Sequence, residues 1–382
     1  MKNEKQNKIL SEFEKYKKMD FSFSKGDILG SMCTEPFPIA KKAYISFLES
    51  NLGDPELFPG SKKIEEEYIS LVINLLNGPK NSTCIIGSGG TESNINAIWL
   101  AKKLSGKKEI IVPESAHFSF QKIASLMDIK IKSVELDDNY IMKVSSLRRK
   151  INKNTAAVVG IAGTTELGKI DPIPEISDIC KDENVFLHVD AAFGGFVIPF
   201  LKKQIYNIPE YDFKLSGVSS ITIDSHKMGG AAIPLGMLAI RDKNWLEKIS
   251  VDTPYISSKV QAGILATRSA GPIAAALAVY KELGFEGYSK IVEDCMQNMR
   301  YTKEKIIDMG LELVVEPTLN VLAIKVKKPS VILNELTKKG MKVNRMDRYS
   351  AIRIVFMPHV TKKSIDRFLP VFKKICKKTG EI

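Results

Sequence analysis

The sequence predicts an α/β protein: a seven-stranded, mostly parallel sheet with one antiparallel strand, doubly wound by helices, followed by a small C-terminal α+β domain. Three observations carry this. Between residues 83 and 240, short runs rich in Val, Ile and Leu alternate with amphipathic segments, the rhythm of helices laid on both faces of a parallel sheet. The last two runs are separated by only eleven residues, 225–235, too few for the crossover that joins parallel strands. Beyond a long helical region, a second strand–helix rhythm starts near residue 321.

In chain order, an N-terminal segment (1–60) precedes a large domain (61–285) and a small one (286–382). The runs at 83–86, 109–112, 131–136, 156–161, 185–189, 221–224 and 236–240 are mostly continuous apolar stretches, as expected of strands buried on both faces. Ile95, Ile98 and Trp99 share one face of the first intervening helix. The 225–235 connection holds Gly229, Gly230 and Pro234, so the seventh strand is predicted to run against its neighbours. Helices follow at 272–283 and 287–309. The small domain then reads as strand 321–326, helix 331–339, strand 352–356 and helix 362–377, with His359 placed to cap the last helix.

A chain of 382 residues with 44% hydrophobic and 26% charged residues has enough apolar surface for two cores. No run of eighteen or more apolar residues appears, which predicts no membrane-spanning helix. Residues 1–18 are Lys-rich without an apolar stretch, so no secretory signal is expected. The five cysteines are scattered and lack a CxxC pair, which fits reduced thiols in the cytoplasm rather than a disulfide framework or structural zinc. The net charge of +12 is spread in pairs such as Lys41-Lys42 and Lys202-Lys203, without interleaved aromatics. That describes a solvated surface able to steer anionic ligands, not a nucleic-acid interface.

Three clusters sit at strand ends, where open α/β sheets bind ligands. Gly87-Ser88-Gly89-Gly90-Thr91-Glu92 opens a helix, and its backbone N–H groups form a site suited to phosphate, or simply a tight turn capped by Thr91. His188-Val189-Asp190-Ala191-Ala192 ends a very apolar strand. Asp224-Ser225-His226-Lys227-Met228-Gly229 ends another, and desolvation there would lower the Lys227 pKa and make it a nucleophilic amine. Two readings of these residues compete. In one, His188, Asp190, Asp224 and His226 form a metal cluster. In the other, Lys227 forms an imine with pyridoxal phosphate while Asp190 pairs with its ring nitrogen. The Gly-rich turn favours the second, because that cofactor needs a phosphate anchor, an acidic partner and a lysine together.

Five motifs in order carry a resemblance: Ser88-Gly89-Gly90-Thr91-Glu92-Ser93-Asn94, Ala116-His117-Phe118-Ser119, Gly163-Thr164-Thr165-Glu166-Leu167-Gly168, His188-Val189-Asp190-Ala191-Ala192-Phe193-Gly194-Gly195 and Asp224-Ser225-His226-Lys227-Met228. The chain resembles the group II pyridoxal-phosphate decarboxylases, in particular the archaeal L-tyrosine/L-aspartate decarboxylases, from Gly30 to His359. The resemblance implies the type I, aspartate aminotransferase-like fold, a homodimer with active sites at the subunit interface, and an amino-acid substrate: L-aspartate, L-tyrosine or L-glutamate. It implies that Lys227 carries the cofactor and that Asp190 keeps the ring nitrogen protonated. His117 would stack on the ring, with Thr165 and Ala192 beside it. Gly90, Thr91 and Ser225 or His226 would hold the phosphate, Ser225 standing where many relatives have Pro. Arg353 would receive the substrate carboxylate, and Tyr255 would either donate the proton that completes the reaction or pack at the subunit interface. A same-fold lyase or sulfur-transfer enzyme acting on a phosphorylated or tRNA-bound substrate is the alternative.

Overall fold

The computed structural model describes residues 2–201, 205–254 and 260–382. Helices α1 (Lys2–Lys17), α2 (Pro38–Ser46) and α3 (Pro59–Leu75) come first. The large domain then alternates β1 (Thr83–Gly87), α4 (Gly90–Ser105), β2 (Glu109–Pro113), α5 (Ser119–Met127), β3 (Lys130–Val134), α6 (Val144–Lys150), β4 (Thr155–Ile161), α7 (Ile173–Asp182), β5 (Phe186–Asp190), β6 (Val218–Ile223) and β7 (Gly236–Ile240). The spatial order is β1-β7-β6-β5-β4-β2-β3. β4 lies near the centre and all seven of its residues are buried, which is why its sequence is apolar throughout rather than alternating. β3 is an edge strand and carries Lys130 and Lys132, charges that discourage edge-to-edge pairing.

β7 is antiparallel to both β1 and β6, as its short connection requires. Its register sets Gly236 opposite Gly87. A Cβ on Gly236 would lie 2.4 Å from Asp224 Oδ1 and 2.5 Å from the Gly89 Cα. The bare backbone at Gly236 therefore lets the turn after β1 and the turn after β6 come together at one end of the sheet.

A short hairpin, β8 (Ser250–Asp252) with β9 (Val260–Ala262), precedes α8 (Gly271–Asp308). The two helices expected between 272 and 309 form one run, interrupted where Gly284 adopts φ 58° and ψ −171°. The small sheet has the order β10 (Val321–Lys325), β12 (Ala351–Val355), β11 (Asn344–Met346), with α9 (Pro329–Lys338) between β10 and β11 and α10 (Lys362–Thr379) at the end. Leu322, Ile324, Ile352 and Ile354 join a core with Ile332 and Leu336 of α9 and Phe368 and Phe372 of α10. The opposite face packs Ala323, Ala351 and Met346 against Leu167 of the large domain. Strand alternation puts Arg353 on that second face, toward the large domain. β11 escaped the sequence reading because three residues hold no period.

The N-terminal segment is tied into the small sheet. Leu29 N donates to Lys342 O at 2.7 Å, and Val355 N donates to Leu29 O at 2.8 Å. His359 serves this link instead of capping α10: its ring nitrogens meet Thr34 Oγ1 at 2.9 Å and Ile28 O at 2.8 Å. Thr361 is the cap, accepting from Ser364 N, because its hydroxyl sits directly before the first turn. No helix among the described residues is long and apolar enough to cross a membrane.

Candidate active site

The three clusters converge at the ends of β1, β5 and β6 around a cavity of about 520 Å³. At β1, Glu92 Oε2 accepts from Ser88 N at 2.7 Å and Ser88 Oγ at 2.8 Å, which fixes the turn into α4. The helix has no side-chain cap on its first turn, so the N–H groups of Gly90 and Thr91 are positioned to hold an anion. A Cβ on Gly90 would stand 3.1 Å from both Ala192 Cβ and Asp224 Oδ2; the glycine keeps that part of the cavity open. His226 lines the same wall, and its Nδ1 lies 2.7 Å from Leu235 O.

At β5, Asp190 is 6% exposed and held from two sides. Ala192 N donates to its Oδ1 at 3.1 Å, and Asn94 Nδ2 donates to its Oδ2 at 2.9 Å. Asn94 is the hub of a buried network. Its Nδ2 also reaches Ser119 Oγ at 3.1 Å, and its Oδ1 accepts from Thr222 Oγ1 at 2.8 Å and from His188 Nε2 at 3.0 Å. His188 Nδ1 meets Ser220 Oγ at 2.8 Å. Burial pushes His188 down to about 4, so it is a neutral ring and a packed support for Asn94. Among the described residues, no group of three His, Cys, Asp or Glu could hold a metal ion.

At β6, Lys227 Nζ lies 3.0 Å from Asp224 Oδ2, with the lysine side chain 19% exposed and the aspartate 2%. Here the structure corrects the expectation of a depressed lysine. Burial lowers its pKa, but the Asp224 and Asp190 carboxylates raise it further than burial lowers it, and the net shift is upward. Lys227 is an ammonium in this geometry and must surrender a proton before its nitrogen can attack a carbonyl. Asp224 Oδ1 is buried without a partner. Ser225 departs from its expected place as well: it is fully buried, accepts a 2.8 Å hydrogen bond from Tyr68 Oη and is not part of the cavity wall. Residues 225–229 form a turn, in which His226 and Lys227 line the cavity while Ser225 meets Tyr68 on α3.

His117 lines the cavity after β2, and burial lowers its pKa despite the pull of Asp190, which favours a neutral imidazole. Ser119 N donates to its Nδ1 at 3.2 Å. Thr165 and Ala192 line the same space. An adjoining outer cavity of about 560 Å³ shares His117, Thr165 and Lys227 and adds Arg353. Arg353 is 8% exposed. It donates through Nη1 to Thr165 O and through Nη2 to Gly30 O at 3.0 Å, and its Nε is buried without a partner. Burial lowers its pKa to about 10, with Glu166 pulling the other way. Its hydrogen bonds are to neutral carbonyls, so its charge is open to an incoming carboxylate. Tyr255 lies outside the described residues.

Pyridoxal phosphate fits these residues: an anion-binding helix start, a buried carboxylate, a neutral imidazole and a lysine border one cavity. The residues that the pyridoxal-phosphate reading of the sequence left without a role are Asn94 and Asp224. Asn94 follows Gly90 by four positions, one helical turn, and that spacing was the available signal.

The model of the pyridoxal-dependent decarboxylase conserved domain matches residues 61–327. The chain is 46% identical to a probable L-tyrosine/L-aspartate decarboxylase of Methanothermobacter thermautotrophicus, over 91% of this chain and 97% of that one. It is 46% identical to an L-aspartate/L-glutamate decarboxylase of Pyrococcus horikoshii, over 96% and 97%. It is 44% identical to an L-aspartate decarboxylase of Thermococcus kodakarensis, over 97% of each. Among solved structures, a Burkholderia pseudomallei sphingosine-1-phosphate lyase superposes with a TM-score of 0.88 at 23% identity, over 97% of this chain and 90% of that one. A Lactobacillus brevis glutamate decarboxylase gives 0.84 at 22%, over 94% and 90%. These two likenesses speak to the fold, which is the type I fold of pyridoxal-phosphate enzymes.

Proposed function

This chain belongs to the pyridoxal-dependent decarboxylase family, and from that premise we propose that it releases carbon dioxide from L-aspartate to give β-alanine, with L-tyrosine and L-glutamate as competing substrates. It is a pyridoxal-phosphate-dependent amino-acid decarboxylase. The observation that carries the amino-acid reading is Arg353, a buried guanidinium bonded to carbonyls, open to the same space as Lys227.

When bound, the cofactor supplies a sink for the electron pair left behind as carbon dioxide departs. Lys227 would hold the cofactor through Nζ. Asp190 would keep a proton on the ring nitrogen; its carboxylate retains lone pairs for this beyond the bonds from Asn94 and Ala192. Gly90, Thr91 and His226 would hold the phosphate, and His117, Thr165 and Ala192, which line the same cavity, would lie beside the ring. Arg353 binds the α-carboxylate with its guanidinium, and Tyr255 returns a proton to the α-carbon.

We further propose a homodimer working in the cytoplasm. Ile9, Leu10 and Phe13 of α1 and Ile45 of α2 are exposed apolar side chains of the kind a second subunit covers. The five cysteines are free thiols, as in a reducing compartment.

The decisive experiment treats the holoenzyme with borohydride and locates the modified residue, while amines formed from each amino acid are separated and identified. Label on Lys227 together with β-alanine or tyramine is the expected result. Full activity in Lys227→Ala would overturn the reading.

A further inference from the structure

The outer cavity has a charge pattern of its own. Its described lining includes three cations, Lys227, Lys342 and Arg353, and no Asp or Glu. On the decarboxylase reading, Lys227 is committed to the cofactor and Arg353 to the α-carboxylate. Lys342 is then left over. Its Nζ meets neutral groups, the Thr337 hydroxyl at 3.3 Å and the Phe21 ring at 4.3 Å. Lys227 has Asp224 at 3.0 Å as its counter-charge, whereas, among the described residues, the Lys342 ammonium meets only those neutral groups and attracts a ligand that brings a negative charge.

The register of the small sheet adds an amide beside Arg353. Asn344 on β11 stands directly opposite Arg353 on β12, and opposite residues on one face have Cβ atoms about 5 Å apart. Lys342 lies two positions earlier. It lines the same cavity as Arg353, and Leu29 bonds to Lys342 on one side and to Val355 of β12 on the other. The backbone there is pinned, since Leu29 N and Gly30 N both donate to Lys342 O, at 2.7 and 3.0 Å. Asn344 is seated against Gly30, where an added Cβ would fall 2.0 Å from Asn344 Oδ1, and it is exposed to the cavity. Gly30 in turn accepts from Arg353. One cavity wall thus carries a guanidinium, an amide and an ammonium.

We infer that Lys342 and Asn344 read the second carboxylate of a dicarboxylic amino acid, making the site selective for acidic over neutral side chains. The inference rests on the decarboxylase reading and deepens it: a dicarboxylate compensates both Arg353 and Lys342, whereas a neutral side chain leaves Lys342 alone. Asn344 donates to the same carboxylate and, by its shape, keeps Gly30 in place.

The test is a titration of the holoenzyme with succinate and with butyrate, followed by the cofactor's absorbance band, so that it does not depend on turnover. The wild type is expected to bind succinate at least about tenfold more tightly than butyrate, the scale of one charge-assisted hydrogen bond. Lys342→Gln weakens succinate by about tenfold and butyrate by much less, and Asn344→Asp, similar in shape but negative, does the same. Equal binding of the two acids by the wild type, or parallel losses for both in the variants, would overturn the inference. Failure of the decarboxylase reading shows separately, as a wild-type holoenzyme that releases no carbon dioxide from any amino acid.

Discussion

Replacing Asn94 by Ala removes the hub behind Asp190 and tests whether that carboxylate is held from outside the cavity. Asn94 is 1% exposed and makes four hydrogen bonds, to Asp190, Ser119, Thr222 and His188. Part of the network can repair itself. Thr222 Oγ1 already stands 3.3 Å from His188 Nε2, so a tautomer shift lets the ring accept from Thr222 and donate to Ser220. Asp190 has no such substitute and loses a charge-assisted bond in a buried setting, a loss of about 1.5–3 kcal/mol. The vacated amide volume adds to it, bringing the expected destabilisation to about 2–4 kcal/mol. Urea unfolding of the apo- and holoenzyme measures this, and cofactor fluorescence gives the affinity. Cofactor affinity is expected to fall along with stability, because Asp190 keeps only the Ala192 N–H to orient it. Asn94→Asp should bind cofactor worse still, since two carboxylates in contact cannot both ionise without strain. A stability change below about 0.5 kcal/mol with unaltered cofactor affinity in Asn94→Ala would refute the reasoning.

Arg353→Lys is expected to keep the cofactor's absorbance while raising KM for the amino acid about tenfold or more, because an ammonium cannot reproduce the fork that spans Thr165 O, Gly30 O and a carboxylate; steady-state kinetics with unchanged KM and kcat would remove Arg353 from the site. Asp171 supports the end of β4 by accepting from Ile161 N and Met142 N, each at 2.8 Å. Burial outweighs those bonds and raises its pKa from 3.8 to about 6. Its contribution to stability is therefore complete below about pH 4 and lost as pH rises through 6, so wild-type stability relative to Asp171→Asn should fall by about 3 kcal/mol from pH 4 to 7. Denaturation curves across that range showing a constant or widening advantage for the wild type would contradict this. Tyr255→Phe is expected to leave cofactor binding intact and slow amine formation by about 10²-fold or more, as loss of a general acid does; normal amine output would exclude the role.

The sequence by itself determined the sheet and the chemistry at its edge. Strands such as β4 and β5 are apolar runs bounded by turn residues, and burial on both faces leaves them no other composition. The reversal of β7 followed from loop length alone, since the eleven residues 225–235 are too few for a crossover. Lys227, Asp190 and the Gly89-Gly90 turn were legible because each lies within a few residues of a strand end, where local order dictates position. Tertiary structure decided what these groups experience. Asn94 meets Asp190 across 96 residues and Thr222 across 128, and Arg353 reaches Thr165 across 188. The charge on Lys227 depends on the balance between burial, which favours a neutral amine, and two nearby carboxylates, which favour the ammonium. Ser225 shares its turn with Lys227 yet turns inward to Tyr68 on α3. A sequence states which groups lie near a strand end, but hydrogen-bond partners, dielectric surroundings and net field are set by segments far along the chain, and only packing brings those segments into contact.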